Sequence, residues 1–149
     1  VIIGKALSGG FYPVSAVLSS KAILGVFKPG DHGSTFGGNP LAAAVARASL
    51  KVLIDEKLVE RSFELGNYFM ERLRSIPSAH VVEVRGRGLW IGFVLDTKAR
   101  PYCEALMQEG LLCKETHDNV IRFAPPLVIT KEEIDWAFDR ISKVVLALD

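Results

Sequence analysis

At 149 residues the chain has room for one ordinary domain and is marginal for two. Its 49% hydrophobic and 23% charged residues sit near globular averages, which excludes a disordered chain, and no apolar run reaches the roughly 18 residues of a membrane span. Eighteen Lys and Arg against seventeen Asp and Glu leave a net charge of +1, so charge gives no basis for binding nucleic acid or an anionic membrane.

The sequence begins without methionine, inside the apolar run Val1-Ile2-Ile3, with no polar lead-in. This reads as a buried strand cut from a larger protein, so the expectation is a C-terminal fragment. Eight of the 13 glycines fall in residues 4–38 and five in the 111 residues that follow, which predicts short strands and shaped loops first and ordinary elements afterwards. Val14–Leu18 reads as a second strand, because Tyr12 precedes proline and is pushed extended. Residues 27–38 form a loop with a turn at Lys28-Pro29-Gly30. Asn39-Pro40 is a helix start, an N-cap followed by proline at the first helical position. Leu41, Ala44, Val45, Ala48, Val52 and Leu53 then follow helical spacing. A second helix spans about 55–75, with Leu58, Leu65, Phe69 and Leu73 on one side; Gly66 costs it about 1 kcal/mol relative to alanine.

After Pro77 the period changes. Val81–Arg85 and Leu89–Leu95 read as strands joined tightly by Gly86-Arg87-Gly88. Pro101–Glu109 reads as a short helix stopped at Gly110. Leu111–Lys114 and Val120–Ala124 are two further short strands. Thr130-Lys131-Glu132-Glu133 is a capping box that opens a last amphipathic helix carrying Ile134, Phe138, Ile141, Val145 and Leu148. Residues from about 77 onward therefore make an α+β unit of four strands and two helices.

Three features carry chemistry. Lys5 follows an apolar strand and precedes Ala6-Leu7-Ser8-Gly9-Gly10. Burial there favours the neutral amine, the form that attacks carbonyls and makes Schiff bases; the plain alternative is a strand-end lysine reaching to water. Ser34 and Thr35 lie among glycines just before a helix N-terminus, which suits a phosphate, or else form a simple connector. A Walker A reading of Gly25–Gly30 fails because Asp31 stands where lysine is required. Arg122 lies inside the apolar run Val120-Ile121-Arg122-Phe123 and needs an anion, either a substrate carboxylate or an internal acid. His32, His80 and His117 lack metal-ligand spacing. Cys103 and Cys113 read as small buried hydrophobes of a reducing compartment, and Trp90 and Trp136 as core or interface anchors.

Taken in order, Gly4-Lys5-Ala6-Leu7-Ser8-Gly9-Gly10, then Ser34-Thr35-Phe36-Gly37-Gly38-Asn39-Pro40, Val84-Arg85-Gly86-Arg87-Gly88-Leu89 and Ile121-Arg122-Phe123-Ala124-Pro125-Pro126-Leu127 resemble a class III pyridoxal-phosphate aminotransferase over essentially the whole chain. Tyr12-Pro13-Val14-Ser15 and Cys113-Lys114-Glu115-Thr116-His117 resemble its ornithine branch, while the acetylornithine branch shares the Gly-Asn-Pro and Arg-Phe-Ala-Pro-Pro-Leu stretches. The resemblance implies an α/β fold of the aspartate-aminotransferase type. It implies pyridoxal 5'-phosphate as cofactor, held covalently by Lys5, with Ser34 and Thr35 reaching the phosphate of the neighbouring subunit in a homodimer. Arg122 would bind the α-carboxylate of glutamate or 2-oxoglutarate.

By the same resemblance, residues 1–38 would end the large cofactor-binding domain, 39–76 would be connecting helices, and 77–149 the small C-terminal α+β domain. The missing N-terminal part of the enzyme would be the chain's partner, alongside a small-molecule amino donor and a 2-oxo acid. The location would be the cytoplasm, with the mitochondrial matrix left open. The chain by itself would be inactive. The rival from another class is a non-enzymatic α+β interaction module that keeps an old aminotransferase sequence.

Overall fold

The computed structural model describes all 149 residues and resolves into two compact units, Val1–Lys57 and Leu58–Asp149.

In the first unit β1 (Ile2–Ile3) pairs antiparallel with β2 (Ala16–Val17), in register Ile2 with Val17 and Ile3 with Ala16. Between them lies a 3-10 turn, Lys5–Ser8. A one-turn helix α1 (Lys21–Leu24) and a long loop lead to α2 (Pro40–Asp55). Asn39 caps α2 as the sequence predicts, its Oδ1 accepting from the Ala42 N–H at 2.8 Å. The turn and α1 were not foreseen; four residues carry too short a pattern for periodicity to register.

Two expectations need correction here. The Val1–Ile3 run is not buried: Ile2 is 83% exposed, because β1 belongs to a two-stranded ribbon and nothing in this chain covers its apolar side chains. The buried stripe of α2 is Ala42 and Ala46, not the predicted one; Leu41, Ala44, Ala48 and Val52 face outward. The small residues face inward because α2 packs closely on the 3-10 turn, where a Cβ on Gly9 would sit 3.1 Å from Ser49 Oγ.

The second unit begins with α3 (Leu58–Arg74) and continues with β3 (Val81–Arg87), β4 (Trp90–Leu95), α4 (Arg100–Gln108), β5 (Lys114–Thr116), β6 (Val120–Phe123) and α5 (Lys131–Ala147). The strands form one antiparallel sheet of order β3-β4-β6-β5. The fifth element differs from its prediction: Leu111–Lys114 is not the strand, and Leu112 is exposed, since pairing with β6 starts only at Lys114. Side chains alternate along the sheet. Val84, Ile91, Phe93, Leu95, Ile121 and Phe123 face a single core with Phe69 and Leu73 of α3, Leu106 of α4, and Ile134, Ile141 and Val145 of α5. The capping box of α5 forms as predicted, with Thr130 Oγ1 accepting from the Glu133 N–H and Glu133 Oε2 accepting from the Thr130 N–H.

Gly66, a liability by helix propensity, is a close-packing point. A Cβ there would lie 2.1 Å from the carbonyl carbon of Gly88, which itself turns the β3–β4 connection at φ +56°. The connection is tighter than the sequence predicts: Gly86 and Arg87 extend β3, paired with Ile91 and Trp90, and only Gly88-Leu89 makes the turn. Cys103 is buried and Cys113 half-buried, both as free thiols. Trp90 and Trp136 are not core residues; both are substantially exposed.

Candidate active site

In the first unit the chain leaves β1 through extended Gly4 and enters the 3-10 turn at Lys5, whose φ is +52°. The left-handed region costs a non-glycine residue about 1–2 kcal/mol. Lys5 is held there by its surroundings. The Leu7 N–H donates to the Gly4 carbonyl at 3.2 Å, and the Gly9 N–H to that of Ala6 at 2.9 Å. The fully buried Ser8 hydroxyl accepts from the Tyr12 N–H at 3.1 Å and donates to the Tyr12 carbonyl. Lys57, His117 and Asp118 also have positive φ, but Lys5 combines the strain with a rigid turn at the edge of a cavity, which points to a functional position.

Lys5 borders a cavity of about 450 Å³ that also touches Pro13, Val14, Phe36, Gly37 and Asn39. The lysine motif and the glycine-rich motif thus meet, although some thirty residues separate them in sequence. No acidic side chain lines this cavity. The burial expected of Lys5 is not supplied by this chain: its side chain is exposed.

Ser34 and Thr35 are exposed in the loop before α2 and are not among the residues lining the Lys5 cavity. Ser34 Oγ accepts from the Gly37 N–H at 2.8 Å, and Asn39 Nδ2 donates to the Phe36 carbonyl at 2.8 Å. These bonds shape the loop so that two hydroxyls stand just ahead of the helix N-terminus, where anions are favoured.

Arg122 lies in the second unit, on β6. The alternative of an internal acid is not realised: no carboxylate lies within ion-pair distance of it. Its alternation in β6 puts it on the open face of the sheet, opposite the helices, with its guanidinium 5.4 Å from the Trp90 ring centroid. Glu115, the acid nearest in β5, has its register partner Ile121 on the inner face and is bound to Arg100 at 3.1 Å. Its own backbone N–H and Arg100 hold its carboxyl below the usual range. Trp90 was missed as a site neighbour. The signal was present in the two-residue alternation Trp90-Gly92-Val94, which puts Trp90 on the outer face of β4.

A larger cavity of about 890 Å³, bordered by Cys113, Pro125, Pro126 and Trp136, contains none of Lys5, Ser34, Thr35 or Arg122. Burial pushes the Cys113 thiol up to about 12 and raises that of Cys103, so neither is an activated nucleophile.

Known proteins resemble this chain in sequence and fold. Over 143 residues, 96% of its length, the chain is 69% identical to the ornithine aminotransferase of Geobacillus sp. (strain WCH70), of which it covers 36%. Among solved structures, the acetylornithine aminotransferase of Elizabethkingia anophelis superposes with a TM-score of 0.93 at 50% identity, over 98% of this chain and 40% of that one. The ornithine aminotransferase of Plasmodium yoelii gives a TM-score of 0.93 at 45% identity, over 99% and 40%. The fold is therefore that of the corresponding part of these larger enzymes, and the chain spans little more than a third of their length. Residues 1–145 match the family described as aminotransferase class-III, and the chain belongs to that family.

Proposed function

We propose that the chain is the C-terminal part of an ornithine aminotransferase, which moves the δ-amino group of ornithine to 2-oxoglutarate and yields glutamate semialdehyde and glutamate. The observation that carries this reading is the 69% identity to a relative of that name over 143 residues, a span that runs through the lysine, glycine-loop and arginine motifs of this chain. The acetylornithine reading rests on the 50% identity to the Elizabethkingia enzyme and differs only in donor.

Class III membership brings pyridoxal 5'-phosphate as cofactor, and the residues present suit it. A lysine in a strained, rigid turn borders a cavity, and two exposed hydroxyls precede a helix N-terminus. When bound, the cofactor supplies an electrophilic carbonyl for amines and a ring that accepts the electron pair released at the substrate carbon.

Lys5 Nζ would hold the cofactor covalently. Once the donor amine has displaced it, the freed Lys5 Nζ would act as base and then acid, taking the proton from the donor's δ-carbon and later returning one. Ser34 and Thr35 hydroxyls would donate to the phosphate of the cofactor held by the neighbouring subunit of a homodimer. Arg122 receives the α-carboxylate of the 2-oxo acid through two parallel hydrogen bonds, with its guanidinium free of protein acids. No carboxylate lines the Lys5 cavity, so an acid for the pyridine nitrogen would have to come from the N-terminal part of the enzyme, and this chain alone would be inactive. The exposed apolar side chains of its first unit, Ile2, Phe11, Phe36 and Ile54 among them, agree with a chain that needs the N-terminal part as its partner.

Purified full-length protein tests the reading. With 2-oxoglutarate, kcat/KM for ornithine should exceed that for N-acetylornithine; the reverse preference assigns the acetylornithine branch. Borohydride reduction should add a pyridoxyl mass to the Lys5 peptide, and Lys5→Ala should lower turnover by about 10²–10⁴-fold. Absence of both the adduct and turnover would leave the interaction-module reading.

A further inference from the structure

Strand register places more than Arg122 on the open face of the second unit's sheet. Arg85 of β3 is opposite Gly92 of β4, Gly92 is opposite Arg122 of β6, and Arg122 is opposite Lys114 of β5. Registered partners in an antiparallel sheet project to the same face. These four residues therefore form one transverse row in which three positions are cationic and the fourth is glycine. Arg87 and Trp90 form the next pair along, on the same face. The only acid among the strand residues of this face is Glu83, which meets Arg85 at 3.1 Å in an exposed pair. Exposed pairs of this kind are weak and exchange readily.

Gly92 makes a notch in this row. Its missing side chain would lie 3.7 Å from Arg85 Cγ and 3.4 Å from Val120 Cγ1. These are ordinary contact distances, so neither crowding nor backbone angle demands glycine there. What the missing Cβ provides is a floor between two arginines, each one strand, about 4.8 Å, away from it. Two guanidiniums on either side of such a floor can close on a single carboxylate seated over Gly92.

We propose that Arg85 is a second substrate-binding residue, which closes with Arg122 over Gly92 on a carboxylate of the 2-oxo diacid acceptor and sets the preference for that acceptor. This rests on the transaminase reading and adds a residue to it. Arg85 exchanges its exposed pair with Glu83 for the substrate carboxylate, and Arg122 leaves the Trp90 ring to make the same contact. No bond is made or broken.

The experiment uses full-length holoenzyme and follows the two half-reactions separately. Arg85→Gln should raise KM for 2-oxoglutarate about tenfold with kcat little changed, and leave the ornithine half-reaction as it is. Arg85→Lys, which keeps the charge, should recover most of the loss. Gly92→Ala, which the local packing accommodates, should raise the same KM, because a methyl group fills the carboxylate's floor. The fluorescence of Trp90, isolated by comparison with Trp90→Phe, should respond to glutarate in the wild type and far less in Arg85→Gln. If Arg85→Gln and Gly92→Ala both keep wild-type KM while Arg122→Gln loses affinity for the acceptor, this proposal is overturned and the transaminase reading stands. If Arg122→Gln also keeps wild-type KM, the role given to Arg122 falls, and the proposal with it.

Discussion

Gly66→Ala sets two physical rules against each other. By helix propensity alone, alanine in the middle of α3 should stabilise the protein by about 1 kcal/mol. The structure predicts the opposite. The added Cβ would lie 2.1 Å from both the carbonyl carbon and oxygen of Gly88, and 2.6 Å from its Cα. These are backbone atoms of a tight turn at φ +56°, not the end of a flexible side chain. Relief requires α3 to move off the sheet, and α3 supplies Phe69, Met70 and Leu73 to the core. Overpacking costs of this type run to about 1–3 kcal/mol and more when backbone must move. Taking the upper end and subtracting the propensity gain leaves a net loss of about 2 kcal/mol. For a chain of this size that lowers Tm by roughly 4–8 °C. The assay is thermal unfolding followed by circular dichroism, with Gly92→Ala as control. At Gly92 the nearest atom to an added Cβ is 3.4 Å away, so that variant should stay within about 0.5 kcal/mol of wild type. A rise in Tm for Gly66→Ala would refute the reasoning, because propensity would then have prevailed over the contact.

Other outcomes follow from single features. Lys5→Asn should raise the Tm of cofactor-free protein slightly, by up to about 1 kcal/mol of stability, since asparagine tolerates the φ of +52° at this position, while lowering turnover of the full-length enzyme as Lys5→Ala does. Thr130→Ala removes one half of the capping box of α5 and should cost about 1 kcal/mol in urea unfolding. Burial holds the Cys113 thiol at about 12 against 9.0 for an ordinary thiol, so the folded chain keeps a proton that the unfolded chain releases. The stability this provides is fully present below about pH 9 and is lost as the pH rises toward 12. Iodoacetamide at pH 8 should accordingly label Cys113 far more slowly in folded than in urea-unfolded protein.

Local signals are legible where they are short and stereochemically strict. Asn39-Pro40 and Thr130-Glu133 mark helix starts because a side-chain acceptor three residues from an unsatisfied N–H has one geometry to adopt. The strands of the second unit were legible from two-residue alternation, since one face packs against three helices and the other is open. The first unit was less legible. Its strand Ile2–Ile3 has the composition of a core strand, yet it lies exposed, because β1 pairs only with β2 and no other element packs on it. The buried face of α2 was misread for a related reason: large apolar side chains were expected to point inward, but close packing on the 3-10 turn selected Ala42 and Ala46.

The amino-acid sequence alone settles the family and places nearly every element of the second unit. Those properties lie in residue identity and in spacing along one chain. Tertiary structure alone decided that Lys5 sits in a strained left-handed conformation beside Phe36–Asn39, that Gly66 is required by Gly88, and that Arg85, Gly92, Arg122 and Lys114 share one row. Each of these depends on which distant residues are brought opposite one another, and strand register and helix packing, rather than local preference, set that.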